Sequence, residues 1–287
     1  LTPTALQHEA EALSAALPPL LVEAERLASA VSLGIHGRRK AGMGESFWQF
    51  RRFRAEDPST AVDWRQSAKS QHLFVREREW EVAQSVWFWR DGSAGMDFKS
   101  GTATKRDRAS LLALALASAL VRGGERVALF GSEQAPASSR ATLRRMSLAL
   151  SADTRSDALP PQAHVSRNAQ FVWLSDFLSP IPQLEASLRR FTQAGLSGTL
   201  VHIVDPAEED FPYEGRTRFE APGGGPTETL GRAESIGSAY RARFKAQAET
   251  VALLAGTLGW SHLTHRTDRS PQTALVALYA EMSGAKR

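Results

Sequence analysis

The 287-residue sequence contains no cysteine. That excludes disulfide staples, thiolate zinc sites and a cysteine nucleophile together. It also lacks a long hydrophobic run. The longest largely apolar stretch, 109–121, lies between Arg108 and Arg122 and falls short of the ~18 residues that a membrane span needs. No basic segment followed by an apolar one opens the chain, so no export signal is visible and the cytoplasm is the expected location. Dinucleotide fingerprints and paired catalytic carboxylates are missing too. Gly223-Gly224-Gly225 is followed by no Gly-Lys-Ser/Thr, which removes a phosphate loop. His262-x-x-His265 lacks the glutamate of a zinc-protease helix, and in a strand a three-residue offset sends the two rings to opposite faces.

What remains is the composition of an ordinary globular protein, with 42% hydrophobic and 23% charged residues and a net charge of +4. The length allows one large domain or two small ones. Charge is unevenly spread. Between Arg38 and Arg78 ten basic residues face five acids, and five of the seven tryptophans fall between residues 48 and 89. A basic, Trp-rich segment can hold nucleic acid through phosphate contacts and stacking. Because the acids are interleaved with the basic residues, internal pairing and Arg side chains lying over Trp rings explain the same pattern, and nucleic acid is not the expected partner.

The chain reads as two parts. Residues 1–33 have helical spacing, interrupted at Pro18-Pro19, and 46–54, 73–82 and 83–90 alternate as strands around a short helical turn opened by Asp63. From 86 onward, short β-branched or aromatic runs at 86–90, 126–130, 171–174 and 199–204 alternate with helical stretches at 107–122, 141–150 and 182–193. A Pro- and Gly-rich excursion at 206–231 follows, then a long helix at 236–256, a strand at 260–264 and a last helix capped by Ser270-Pro271. This predicts an α/β fold of three layers with a mainly parallel sheet. An N-terminal appendage of one helix and a strand-rich segment, 1–81, precedes the α/β domain, 82–287, which carries an insertion near 206–235.

In open parallel sheets ligands bind beyond the carboxyl ends of the strands, where the strand order switches. Two strands end there in polar residues, one in Asp91-Gly92-Ser93-Ala94-Gly95 and one in Leu174-Ser175-Asp176. Two carboxylates and a hydroxyl at one rim can hold a hard divalent cation such as Mg²⁺, which takes oxygen ligands and keeps several waters. Asp91 and Ser93 equally suit a turn or a helix cap. A third reading is a serine hydrolase with Ser93 as nucleophile, Asp176, and His202 or His262. Against it, Asp91 occupies the position where a nucleophile elbow needs glycine.

Taken together, Gly42-x-Gly44-Glu45, Phe50-Arg51-Arg52-Phe53, Asp57, Val62-Asp63-Trp64-Arg65-Gln66-Ser67-Ala68-Lys69 and Phe74-Val75-Arg76-Glu77 resemble the signature of the bacterial DUF58 family. Asp91-Gly92-Ser93-Ala94-Gly95-Met96 falls where that family has D-x-S-x-S-M, opening a domain of von Willebrand factor A type. Val204-Asp205-Pro206-Ala207-Glu208 with Phe211-Pro212 resembles a later motif. The likeness runs from about residue 38 to about residue 265. Glu56 replaces the family's glycine before Asp57, and Thr60-Ala61 stand where it has an arginine.

The resemblance implies a Rossmann-like sheet with a metal-ion-dependent adhesion site. Its ligands would be Asp91, Ser93 and Asp176, with Gly95 replacing the third hydroxyl and Thr154 as the candidate for the threonine. It further implies a non-enzymatic adaptor, encoded beside a MoxR-type AAA+ ATPase and acting on a client protein in assembly, maturation or stress response. Many members carry membrane spans, and this chain would be a short soluble form. Arg51, Asp57, Asp63, Trp64, Arg65 and Ser67 form a signature block that either binds a partner or builds the fold. In the structural reading Asp63 caps the short helix, Arg51 and Arg65 pair with Asp57 and Asp63, and Trp64 is buried.

Overall fold

The computed structural model describes residues 19–36, 47–54, 57, 62–78, 84–152, 157–163 and 169–282. In chain order the elements are α1 (Pro19–His36), β1 (Phe47–Arg52), α2 (Trp64–Ser67), β2 (Phe74–Arg78), β3 (Ser85–Arg90), a 3₁₀ turn (Ala94–Asp97), α3 (Lys105–Arg122), β4 (Arg126–Leu129) and α4 (Arg140–Ser151). There follow β5 (Gln170–Ser175), α5 (Ile181–Gln193), β6 (Ser197–Val204), α6 (Pro206–Asp210), β7 (Thr217–Glu220), β8 (Thr227–Leu230), α7 (Glu234–Thr257), β9 (Ser261–Arg266) and α8 (Pro271–Met282). The chain divides into a small unit, 35–83, and a large one made of 1–34 and 84–287.

In the small unit β1 pairs antiparallel with β2, Arg51 opposite Val75. Asp63 caps α2 by accepting from the Gln66 amide at 2.9 Å. The Ser67 hydroxyl donates to the Asp63 carbonyl at 2.8 Å and accepts from the Phe74 amide at 2.9 Å, which pins α2 to β2. Asp57 accepts from the Arg54 amide at 2.8 Å. These side chains build local structure. Trp64 departs from the expectation of burial, standing 66% exposed. It stands on a single short turn of helix, Trp64–Ser67.

The large unit holds a five-stranded sheet in the order β4-β3-β5-β6-β9, every neighbouring pair parallel. This α/β arrangement is the one the alternation of strands and helices predicts. Numbered within the unit, the order is 2-1-3-4-5, that of a doubly wound sheet whose switch point falls between its first and third strands. Here those strands are β3 and β5.

On one face α3 lies across β3, β4, β5 and β6, with α4 and α8 beside it. Every residue from Ala109 to Leu120 is buried, so this helix is apolar on all sides, as a central helix must be. The other face carries an aromatic cluster. Trp89 on β3, Phe171 and Trp173 on β5 and Phe130 after β4 meet Leu184, Leu188 and Phe191 of α5, and Val251 and Ala255 of α7. Phe171 stacks on Phe191 with centroids 4.8 Å apart, and Phe130 meets both edge-on. Trp260 donates its indole N–H to Thr192 Oγ1 at 2.9 Å, satisfying the polar end of a buried ring.

Two details differ from the sequence reading. Helix α1 belongs with the sheet rather than with the signature segment: Arg122 donates to the Ser29 hydroxyl at 3.0 Å, and Arg140 pairs with Glu25 at 3.3 Å. The start of α3 is Lys105, two residues before the expected one, because Thr104 and Asp107 form a capping box. The excursion after β6 contains α6 and the β7–β8 hairpin, whose turn holds Gly223 and Gly224 at φ of +77° each, where a side chain would be strained. Ser270 caps α8 through the Gln272 amide at 3.3 Å.

Candidate functional site at the sheet rim

Register brings the two predicted strand ends together. Arg90 on β3 sits opposite Leu174 on β5, and the Asp91 amide continues the ladder to the Leu174 carbonyl at 2.9 Å. Asp91 therefore stands beside Ser175, and Asp176 follows one residue later. The Asp91 carboxylate, 1% exposed, accepts from the Ser93 amide at 2.7 Å and from the Ser175 hydroxyl at 2.6 Å. Ser175 Oγ in turn accepts from the Phe177 amide at 3.0 Å. Burial, and secondarily the Asp176 charge, raise the Asp91 carboxyl to about 6. Arg106 fastens the loop from above, donating to the Gly92 and Ser93 carbonyls at 3.0 and 3.1 Å and pairing with Asp97.

Asp176 has a different partner. Its Oδ2 lies 2.9 Å from the ammonium of Lys105, a side chain with no exposed surface, and that ammonium also bonds Glu208 Oε1. Burial works against the Lys105 charge, but Asp176 and Glu208 outweigh it and hold the ammonium above its ordinary pKa. Burial raises Glu208, with Lys105 opposing. Beside them Asp205, fully buried at the end of β6, accepts from the Ser100 amide and from Ala207 at 2.9 Å each, from the Ser100 hydroxyl, and from Thr267 at 3.3 Å. Asp205 and Glu208 form the capping box of α6. The later motif is thus a helix cap that also supplies one partner of Lys105.

The rim therefore gathers Asp91, Ser93 and Asp176, as the sequence predicts, together with Lys105, Ser175, Asp205 and Glu208, which it did not single out as site residues. Lys105 left a trace. A lysine in the first turn of a helix opposes the helix dipole, and this one opens a helix whose residues 109–120 are all buried. Thr154 lies outside the described residues.

The donor set does not fit a divalent cation. Asp176 Oδ2 is engaged by an ammonium, Asp91 is engaged by Ser93 and Ser175, and position 95 offers no hydroxyl. A Cβ at Gly95 would come within 2.9 Å of Asp176 Oδ2, so a side chain carrying the third ligand would stand there only if the Asp176 carboxylate shifted. Among the described residues no group of three acidic or histidine side chains is placed to hold a metal.

A serine triad is not formed either. His202 is 2% exposed on β6, edge-on to Phe177 at 5.6 Å and 5.9 Å from His262, and its Nδ1 has no partner. Burial, reinforced by His262, lowers it to about 4. Ser93 bonds the Asp91 carboxylate instead of a histidine. His265 lies on the opposite face of β9, toward Arg108 of α3, as the three-residue offset requires.

Among the described residues no helix is long and apolar enough to cross a membrane. Solved structures overlay on the chain at low identity. A conserved hypothetical protein BatB from Bacteroides thetaiotaomicron is 12% identical with a TM-score of 0.42, covering 71% of this chain and 100% of that one. An aerotolerance-related membrane protein from Bacteroides fragilis, carrying multiple mutations to serines, is 14% identical with a TM-score of 0.42, covering 70% and 99%. No curated protein matches. The family model described as "Protein of unknown function DUF58" matches residues 49–251, well over half of the sequence, and the chain belongs to that family.

Proposed function

We propose that this protein is a non-enzymatic, cytoplasmic adaptor whose docking face is the rim at the carboxyl ends of β3 and β5. Its sheet unit is read as a von Willebrand factor A-type domain. Its partners are a MoxR-type AAA+ ATPase and a client protein, in assembly, maturation or stress response. One observation carries the reading: the buried acidic groups of the rim already have internal partners. Asp91 is held by Ser93 and Ser175, Asp176 and Glu208 by Lys105, and Asp205 by Ser100 and Thr267. Groups committed in this way support a fixed surface better than they support bond-making, which needs a nucleophile and a base facing a shared space.

The surface they support includes half-buried Ser93, Ala94 and Gly95 and the exposed Leu178, whose apolar side chain is 49% accessible beside Asp176. An exposed leucine next to a rigid polar loop offers a partner apolar area to bury. The test is capture of the adjacent ATPase by the full chain in its ATP and ADP states. Wild type is expected to retain the ATPase in at least one state, and Leu178→Glu to weaken capture roughly tenfold without moving the unfolding midpoint. Absence of capture by wild type in both states would overturn the adaptor reading.

A further inference from the structure

We propose that the ammonium of Lys105 takes the place of the divalent cation in this crevice, so that the rim keeps its shape without metal. The ammonium is fully buried and touches carboxylates from two separate strand ends, Asp176 after β5 and Glu208 after β6. A divalent ion in such a crevice would do the same work, drawing acidic groups from neighbouring strands onto one positive centre. Here the positive centre is covalently part of α3.

The missing hydroxyl at position 95 follows from the same arrangement. Asp176 Oδ2 is shared between two facts: it lies 2.9 Å from Lys105 Nζ, and it fills the space that a Cβ at Gly95 would enter. Ser93 Oγ lies 3.8 Å from that same Cβ position. A carboxylate drawn to Lys105 therefore crowds the position of a Cβ at 95, and glycine is the residue that leaves it undisturbed.

The position of the lysine argues the same way. At the first turn of α3 it opposes the helix dipole, and complete burial adds a desolvation cost. The two carboxylates are placed to offset both. A purely structural tie between helix and strand could be made elsewhere and more cheaply by apolar packing, as the rest of α3 does along Ala109–Leu120.

The inference concerns what fills the crevice, and it stands whether or not the rim docks a partner. Its test uses thermal unfolding of the full chain with millimolar Mg²⁺ or Mn²⁺ and with chelator. The wild-type midpoint is expected to be the same in all three. Lys105→Ala should unfold about 10 °C lower, since two buried carboxylates lose their counter-charge. Mn²⁺ should return at least half of that difference, and Lys105→Ala/Asp176→Asn should lose the return. If Lys105→Ala does not fold, Lys105→Gln is read by Mn²⁺ electron paramagnetic resonance, with binding expected in the variant and none in wild type. Metal bound by wild type and lost in Asp91→Ala would overturn the proposal. So would a folded lysine variant that Mn²⁺ neither stabilises nor binds. These readouts involve no partner, so failure of ATPase capture leaves them intact, and their failure leaves capture to be judged by itself.

Discussion

The two sides of the β3–β5 pair bury their residues by opposite rules. On the α5/α7 face, Phe171, Trp173 and Phe191 meet through ring contacts governed by shape, Trp89 is buried in the same cluster, and Trp260 adds a single indole hydrogen bond to Thr192. At the carboxyl rim, a few residues farther along the same strands, Asp91, Asp176, Lys105 and Asp205 are buried just as deeply, and each needs a named partner at hydrogen-bonding distance. The apolar face tolerates substitution in proportion to volume. The rim responds to charge and to the loss of one specific atom. Stability lives mainly in the first region, and what the second region contributes is a fixed geometry.

The largest expected effect breaks the apolar side. Trp173→Ala removes a ring that packs on Phe177 and Phe191 at the middle of the cluster. It should cost roughly 3–5 kcal/mol in denaturant unfolding, with no dependence on pH between 5 and 8. A pH-dependent loss would mean that the two regions are not energetically separate.

Next comes Asp91→Asn, which sharpens the contrast by its sign. The folded carboxyl titrates near 6 and the free one near 3.8, so between those values the folded state holds more protons than the unfolded. Wild-type stability contributed by this group is full below about pH 4, declines as the pH rises through about 6, and is gone above pH 7. Asparagine stays neutral throughout and can still accept from the Ser93 amide. The variant should therefore be about 2 kcal/mol more stable than wild type at pH 8, with the difference fading by pH 4. Midpoints in denaturant at both pH values check this. A destabilised variant at pH 8 would mean that the Ser175 hydroxyl requires a charged acceptor.

Legibility in the sequence divides along the same line. The strands are recoverable because β-branched and aromatic runs of four to eight residues recur between helical stretches, as at 170–175 and 197–204. Asp91 and Asp176 are recoverable because a parallel sheet puts its strand ends on one rim. Lys105 is not, since its partners lie 71 and 103 residues away and no local period marks a pairing of that range. The bound of α3 failed with it: without its cap the helix reads as starting at Asp107, and Lys105 reads as loop. Helix α1 shows an apolar stripe but not which element covers it, so its membership of the sheet unit appears only once Arg122 and Arg140 are seen to reach Ser29 and Glu25.

A smaller effect tests how tightly the rim is drawn. Gly95→Ser restores the hydroxyl pattern of the family but places a Cβ 2.9 Å from Asp176 Oδ2. Relief of backbone entropy returns part of the cost, and the net loss should be about 1 kcal/mol by denaturant unfolding. No loss at all would show that Asp176 gives way easily and that the crevice is softer than its contacts imply.

The smallest effect carries the comparison into the other unit. Trp64 stands in the most specific stretch of the family signature, between Asp63 and Arg65, yet it is 66% exposed, while its neighbour Ser67 is buried and bonded to Asp63 and Phe74. Removing an exposed ring opens no cavity and leaves no polar atom unpaired, so Trp64→Ala should change stability by no more than about 0.5 kcal/mol. Ser67→Ala strips the Phe74 amide of its acceptor and should cost about 1–2 kcal/mol. A large aromatic side chain kept in water contributes little to the fold of its own chain and is available for contact with another. Capture of the ATPase by Trp64→Ala then decides between the two readings of the signature block. Weaker capture at unchanged stability assigns the tryptophan to recognition, whereas a stability loss near that of Ser67→Ala would place it with the residues that build the unit.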